Sequence, residues 1–172
     1  MNKIGFIVKT DEVRGKAPLE IYGDQIRLKL DGRDTGGAYA MFEGIIRPNW
    51  GPPLHRHRRE DESFYVLEGD FLFEVDGERF LAGPGTTVYA PKGTAHTFQN
   101  VGTKTGRILT TVQPAGVDQF FTELDAVSRG MLAPDMSVAG PIFERFGLEL
   151  LGPPIGQRQK EQEVTIDLQP VA

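Results

Sequence analysis

The sequence predicts an all-β body followed by a short helical segment, and three observations support this fold class. Glycine and proline, 21 and 12 of 172 residues, interrupt the chain at short intervals, which is typical of many tight turns. The runs between them have the length of strands, and several alternate between apolar and polar residues. After Pro114 the apolar spacing changes to that of a helix.

The strands follow one another with turn residues between them. Residues 25–30 alternate, and 37–47 form a longer, mostly apolar run. Asp76-Gly77 reads as a tight hairpin turn, because glycine adopts a positive φ at little cost. In chain order the predicted strands are residues 25–30, 37–47, 63–67, 71–75, 79–81, 86–90, 96–101 and 107–113. Many short strands separated by turns indicate a β-sandwich or a β-barrel.

Two helices are predicted after the strands. Phe120, Leu124 and Val127 recur at i, i+4 and i+7, which places them on one face of a helix that begins near Asp118. A second helix is predicted from Pro141 to Gly147, because proline favours the first helical position and glycine the position after the last. The predicted plan is therefore one domain, which is divided into a β body over about 20–114, a helical cap over about 115–152 and a polar tail over 153–172.

Composition excludes several functional classes. The chain has no cysteine, so disulfides, thiolate zinc sites, iron–sulfur clusters and cysteine nucleophiles are absent. A net charge of −5 argues against nucleic acid as a partner. No apolar run approaches the roughly 18 residues that cross a membrane, and residues 1–14 lack the apolar core of a signal peptide. We therefore expect a cytoplasmic protein.

Any imidazole chemistry must use His55, His57 or His96, the three histidines of the chain. On an extended strand His55 and His57 point to the same face. Together with a nearby carboxylate, three imidazoles would suit one divalent ion of Mn, Fe, Co, Ni, Cu or Zn more than Ca or Mg. The residues alone leave two matters open. The pair also fits an exposed His-x-His, and Glu60 and Asp61 compete with Glu62 in a charged loop.

The spacing of these residues resembles the two motifs of the cupin superfamily. The first motif is matched by His55, His57, Glu62 and Gly69, and the second by Gly85, Pro91, Gly93, His96 and Asn100. The resemblance implies a double-stranded β-helix, or jelly-roll, barrel in which His55, His57, Glu62 and His96 bind a metal. One departure concerns a glycine that the family often has with five residues between it and the first histidine. Here the nearest glycine, Gly51, is separated from His55 by three residues.

The predicted interior beside this cluster is aromatic. Alternation from Glu62 turns Phe64 inward, alternation from His96 turns Phe98 inward, and Phe73 shares the inward face of its own strand. These rings would either bind a planar, apolar substrate or serve as core packing. Arg47 and Trp50 precede the ligand loop, and they would contact substrate at the barrel mouth or lie on the surface.

Within the family, the segment PPLHxHxxEDExFYVLEG is similar to compact single-domain cupins that resemble quercetin dioxygenase. That resemblance implies an enzyme that opens an enol or flavonol-like aromatic substrate with O₂, with Glu62 as both metal ligand and general base. The partners would be a small-molecule substrate, O₂ and a second copy in a homodimer. Two alternatives remain: an O₂-independent isomerase, decarboxylase or lyase, and a non-catalytic protein that binds metal or a small ligand.

Overall fold

The computed structural model describes residues 5–158, which form two antiparallel sheets and three helices. The first sheet has the strand order β1-β2-β3-β10-β5-β8, and the second has the order β11-β4-β9-β6-β7. The strands are β1 (Leu19–Ile21), β2 (Asp24–Leu30), β3 (Ala40–Ile46), β4 (Leu54–His57), β5 (Asp61–Glu68), β6 (Phe71–Val75), β7 (Glu78–Ala82), β8 (Thr87–Ala90), β9 (His96–Asn100), β10 (Gly106–Gln113) and β11 (Leu148–Gly152). This mostly β, two-sheet arrangement fits the jelly roll that the motifs imply.

The helices are α1 (Gly32–Thr35), α2 (Val117–Ser128) and α3 (Met136–Phe146). α2 lies where the apolar spacing predicts it, whereas α3 begins five residues before the predicted start at Pro141. The reason is a cap: the carboxylate of Asp135 accepts a hydrogen bond from the backbone N–H of Ser137. Pro141 is therefore inside the helix. Of the helices in residues 5–158, none combines the length and the apolar character needed to cross a bilayer.

β11 corrects the sequence prediction, which assigned its residues to the helical segment. It pairs with β4, so that Leu148 lies opposite His57 and Leu150 opposite His55. The ladder is reinforced on its outer face, where Arg56 Nε donates to Glu149 Oε2 at 3.0 Å. The strand that carries the His-x-His pair therefore has a neighbour on both edges, β11 on one side and β9 on the other.

The first residues of the predicted polar tail pack against the body. Ile155 is fully buried in a helical turn over 155–158, and Arg158 Nη1 donates to Glu74 Oε1 at 2.8 Å. The rest of that tail, residues 159–172, lies outside the described residues.

Two apolar clusters fill the interior. One joins the inner faces of β2 and β3 to α2 and α3, with Phe42, Phe120 and Leu124 among its buried members. The other lies between the two sheets and includes Phe64 and Phe73. The inner face of β3 contains Gly44 between Phe42 and Ile46, and the Ile46 side chain packs close to it, since a Cβ at Gly44 would lie 3.2 Å from Ile46 Cδ1.

Candidate metal centre

Four residues that are distant in sequence meet between the two sheets. His55 and His57 lie on β4, Glu62 on β5 and His96 on β9, and all four are buried. One nitrogen or oxygen of each side chain lies within 4.8 Å of the corresponding atom of every other. The structure therefore brings together the four ligands that the motifs imply.

Strand pairing accounts for this convergence. His55 and His96 are direct cross-strand partners, and His57 shares the inner face of β4 with His55 because the residue between them points outward. Glu62 comes from the facing sheet, where it pairs with Ala90 of β8. The cluster is thus held by both sheets rather than by one loop.

Backbone carbonyls orient two of the three imidazoles. His55 Nδ1 donates to the carbonyl of Pro53 at 2.8 Å, and His96 Nδ1 donates to the carbonyl of Thr94 at 3.0 Å. A carbonyl oxygen can only accept, so each ring carries its proton on Nδ1 when it is neutral. The Nε2 lone pairs are then free to bind a metal.

A carboxylate takes the corresponding place behind His57. Glu60 Oε2 is 3.4 Å from His57 Nδ1, and both side chains are buried. Neither His57 Nδ1 nor Glu60 Oε2 has a hydrogen-bond partner among the described residues. The imidazole nitrogen and the carboxylate oxygen therefore face each other as a candidate donor and acceptor. Glu60 competed with Glu62 in the sequence analysis, and the structure gives the two carboxylates different positions.

Glu62 directs one oxygen at two imidazoles. Its Oε2 is 3.0 Å from His96 Nε2 and 3.2 Å from His57 Nε2. Burial alone would raise the pKa of Glu62, but these imidazoles hold that pKa well below its usual range. Burial alone would lower the pKa of His57, but the negative charges of Glu62 and Glu60 raise that pKa to about 9.

His55 differs from His57 in its charge state. Burial, followed by the neighbouring imidazoles, lowers the pKa of His55 to about 3. Near neutral pH the cluster thus holds a neutral His55 beside a protonated His57 and an ionised Glu62. A buried set of three imidazoles and one carboxylate suits a divalent metal ion.

The cluster forms part of the wall of a cavity of about 460 Å³. His55, His57 and Glu62 line it, together with mainly apolar side chains from both sheets, α2 and α3. Of the residues predicted to contact substrate, the lining includes Trp50, Phe64 and Phe98.

Two other residues predicted to contact substrate, Phe73 and Arg47, are not among the described residues that line the cavity. Phe73 is buried, and its ring centroid is 5.3 Å from that of Phe64 and 5.4 Å from that of Phe98. The guanidinium of Arg47 stacks on Trp50 at 4.7 Å and donates to Asp24. Phe73 therefore supports Phe64 and Phe98, and Arg47 supports Trp50.

The loop ahead of the histidines explains the departure from the family pattern. Asn49 occupies the position at which the family often has glycine, and its φ is +59°. Asparagine tolerates this left-handed conformation better than most residues. Gly51 is required for another reason: a Cβ at this position would lie 1.8 Å from the carbonyl oxygen of Phe98. The proline-rich sequence around Gly51 contains no signal that predicts this contact.

Known proteins resemble the chain in sequence and in fold. A family model described as the cupin domain matches residues 42–112. The uncharacterized protein MJ1618 of Methanocaldococcus jannaschii is 32% identical over 104 residues, which cover 60% of this chain and 83% of that protein. Quercetin 2,3-dioxygenase of Bacillus subtilis is 30% identical over 88 residues, which cover 49% of this chain and 26% of the dioxygenase. An RmlC-like cupin from Shewanella frigidimarina superposes with a TM-score of 0.56 at 18% identity, over 69% of this chain and 99% of that one.

Proposed function

The chain belongs to the cupin superfamily, and we propose that it is a metal-dependent dioxygenase that acts on an enol or flavonol-like aromatic substrate. The observation that carries this proposal is the position of the buried His-His-Glu-His cluster in the wall of a mainly apolar cavity with aromatic residues. The similarity to quercetin 2,3-dioxygenase supports it, although the matching segment covers only about a quarter of that enzyme.

Nε2 of His55, His57 and His96 and a carboxylate oxygen of Glu62 would hold one divalent ion of Mn, Fe, Co, Ni, Cu or Zn. When bound, such an ion supplies a Lewis acid for an enolate oxygen and open coordination positions for a co-substrate. The protein contributes the orientation of the rings, because the carbonyls of Pro53 and Thr94 fix two of them.

Proton transfer falls to Glu62 in this proposal. All three imidazoles of the chain are committed to the cluster, so none is free to act as an independent base. Glu62 lines the cavity, and no hydrogen bond from the described residues reaches its Oε1. This oxygen would accept the hydroxyl proton of an enol substrate.

The aromatic wall would orient the substrate and exclude water. The rings of Phe64 and Phe98 meet edge to face, with centroids 5.8 Å apart, and Phe73 packs behind both. A rigid apolar wall of this kind favours a flat ring over a small polar acid.

The test is oxygen uptake by the protein loaded in turn with each candidate metal. With 3-hydroxyflavone and related enols in air, we expect substrate loss and oxygen consumption in equal amounts, and no conversion under argon. The variant His96→Ala, incubated with the same metal, should be inactive.

Three outcomes contradict the proposal. Equal conversion under air and argon would assign an O₂-independent isomerase, decarboxylase or lyase. Tight binding without conversion would assign a binding protein. The absence of both binding and turnover across the panel and the metals would exclude the substrate class.

A further inference from the structure

The cavity has a second polar end, formed by the turn between β1 and β2. Tyr22 and Asp24 both line the cavity there. Asp24 is buried, with 6% of its surface exposed, and it points inward like Ile26 two residues later on β2. A buried carboxylate in an otherwise apolar wall requires a partner.

Strand register places this end far from the metal cluster. Gln25, next to Asp24, pairs with Ile45 near the carboxyl end of β3. Glu62 is in register, through β10, with Ala40 at the amino end of β3. Because a strand rises about 3.3 Å per residue, the two carboxylates are separated by nearly the length of β3, on the order of 20 Å along the sheet.

Hydrogen bonds from the described residues reach one oxygen of Asp24. Its Oδ1 accepts from the backbone N–H and from Nε of Arg47, both at 3.0 Å. No hydrogen bond from the described residues reaches Oδ2, which belongs to a residue of the cavity wall. Burial raises the pKa of Asp24, and its hydrogen bonds with Arg47 oppose this effect.

The position of Asp24 is fixed by its surroundings. Arg47 Nη2 donates to the carbonyl of Tyr22 at 2.6 Å, and its guanidinium stacks on Trp50. Gly23 packs directly on this group, because a Cβ there would come within 2.9 Å of Arg47 Cζ. Such contacts provide the rigid support that a specific hydrogen bond needs.

An apolar passage joins the two ends. Phe42, Ile46 and Ile108 line it, and Gly44 on the same face of β3 adds no side chain. The passage therefore fits an elongated, flat molecule.

We propose that the cavity binds an elongated, mainly aromatic molecule with a hydroxyl group at its far end, and that Oδ2 of Asp24 accepts the hydrogen bond from this hydroxyl. A carboxylate only accepts, so the group that it recognises must be a donor. Arg47 already balances the charge of Asp24, which favours a neutral hydroxyl over a cationic amine. The inference rests on the proposed function only in placing an enol oxygen at the metal cluster.

The test compares two ligands that differ by one hydroxyl group. Under argon, so that no oxidation occurs, metal-loaded protein is titrated with 3-hydroxyflavone lengthened at C4′ by a 4-biphenylyl group and with the same compound carrying a hydroxyl at the far end of that group, and ligand fluorescence gives each Kd. We expect the hydroxylated compound to bind about tenfold more tightly, because a hydrogen bond to a charged group adds that much selectivity.

The variant Asp24→Asn should reduce the ratio of the two Kd values to about three, since the amide keeps an acceptor for Arg47 but offers the hydroxyl a neutral partner in place of a charged one. Asp11→Asn is the matched control: Asp11 also pairs with an arginine, Arg27 at 2.9 Å, but on the surface. This control should keep the wild-type ratio.

The outcomes separate the inference from the function. Equal binding of both compounds by the wild type, or an unchanged ratio in a folded Asp24→Asn, overturns the inference and leaves the proposed function intact. Failure of both compounds to bind overturns the inference, whereas turnover of 3-hydroxyflavone itself decides the proposed function separately. The wild-type comparison needs no variant, so it remains decisive if Asp24→Asn fails to fold.

Discussion

Each imidazole of the cluster is oriented by a contact at Nδ1, the ring nitrogen that faces away from the centre of the cluster. Carbonyls hold His55 and His96, whereas His57 faces the carboxylate of Glu60 at 3.4 Å. A carboxylate increases the basicity of the ring more than a carbonyl does. The three rings are therefore chemically unequal, and substitutions around them should have unequal effects.

His96→Ala should remove most of the bound metal. The imidazole contributes one of four ligands and also contacts Glu62 at 3.0 Å, so its loss leaves an incomplete site. Metal affinity measured with a competing chelator should fall more than about hundredfold, beyond the loss typical of residues that only support a ligand. Gln99→Ala, a buried residue of the same strand outside the cluster, is the control and should retain affinity.

Glu60→Gln should weaken metal binding about tenfold without abolishing it, because an amide orients His57 Nδ1 less strongly than a carboxylate. Asp61→Asn removes a neighbouring carboxylate that accepts from the backbone N–H of Lys92 and lies outside the cluster, and it should have no effect. The same titration measures both variants. Equal affinities for Glu60→Gln and the wild type would show that Glu60 does not act on His57.

Metal uptake should become tighter as pH rises. The pKa of His57 is about 9 in the metal-free protein, so this ring is protonated near neutral pH, and it must lose that proton to bind a metal. The apparent affinity should increase up to about tenfold per pH unit between about pH 6 and pH 8, and level off above about pH 9. Titration calorimetry in buffers of different ionisation enthalpy counts the released proton, and an affinity independent of pH would contradict this assignment.

The same shift affects stability with a defined sign. Because the folded-state pKa of His57 is above its usual 6.5, the protonation of His57 contributes to the free energy of unfolding. This contribution is fully present below pH 6.5 and is lost as pH rises through about 9. The lowered pKa of His55 acts on the acid side, where stability falls as pH drops below 6.5 towards about 3.

The sequence predicts which four side chains cluster better than it predicts their surroundings. His55 and His57 share a face by strand alternation alone, and motif spacing selects Glu62 from three adjacent acidic residues. The position of Glu60 depends on the path of a loop, and that of Arg47 on Asp24 of another strand. Neither has a local pattern from which it can be predicted.

Among the elements, the strands with clear alternation are predicted within a few residues, whereas β1 and β4 are absent from the predicted strands and β11 is assigned to the helical segment. Its residues Leu148–Gly152 follow Gly147 directly and form a short, mainly apolar run that a helix end would also fit. What makes the run a strand is its ladder with β4, far back in the chain. Local patterns do not report such distant pairing.

The segment between β3 and β4 should be unusually intolerant of side chains. Gly51→Ala would place a Cβ 1.8 Å from the carbonyl of Phe98, a backbone atom of β9 that has no room to move. We expect a loss of at least about 3 kcal/mol in the free energy of unfolding, measured by urea denaturation of the metal-free protein. Gly5→Ala is the control, because nothing lies within 4 Å of its Cβ, and it should change stability by less than about 0.5 kcal/mol.

For the whole molecule, the candidate ligands come from both sheets, so a bound metal would join them. β4 and β9 belong to one sheet, and β5, which carries Glu62, belongs to the other. Free metal at one hundred times its Kd should stabilise the fold by about 2.7 kcal/mol. For a chain of this size that raises Tm by about 5 to 11 °C.

Calorimetry with and without added metal measures this shift. His96→Ala should show almost none of it, and a wild-type Tm that does not change with metal would contradict a site between the sheets. The homodimer and the single-domain organisation expected from the sequence stay predictions, which a scattering mass and limited proteolysis would test.

The pairing of β11 with β4 has a consequence for the newly made protein. Residues 55 to 96 are synthesised before residues 148–152, so all four candidate metal ligands exist while one edge of β4 is still open. An open edge invites pairing with another chain. We therefore expect nascent molecules to be most prone to self-association in that interval. The addition of the last strand, rather than of the last candidate ligand, covers this edge of β4.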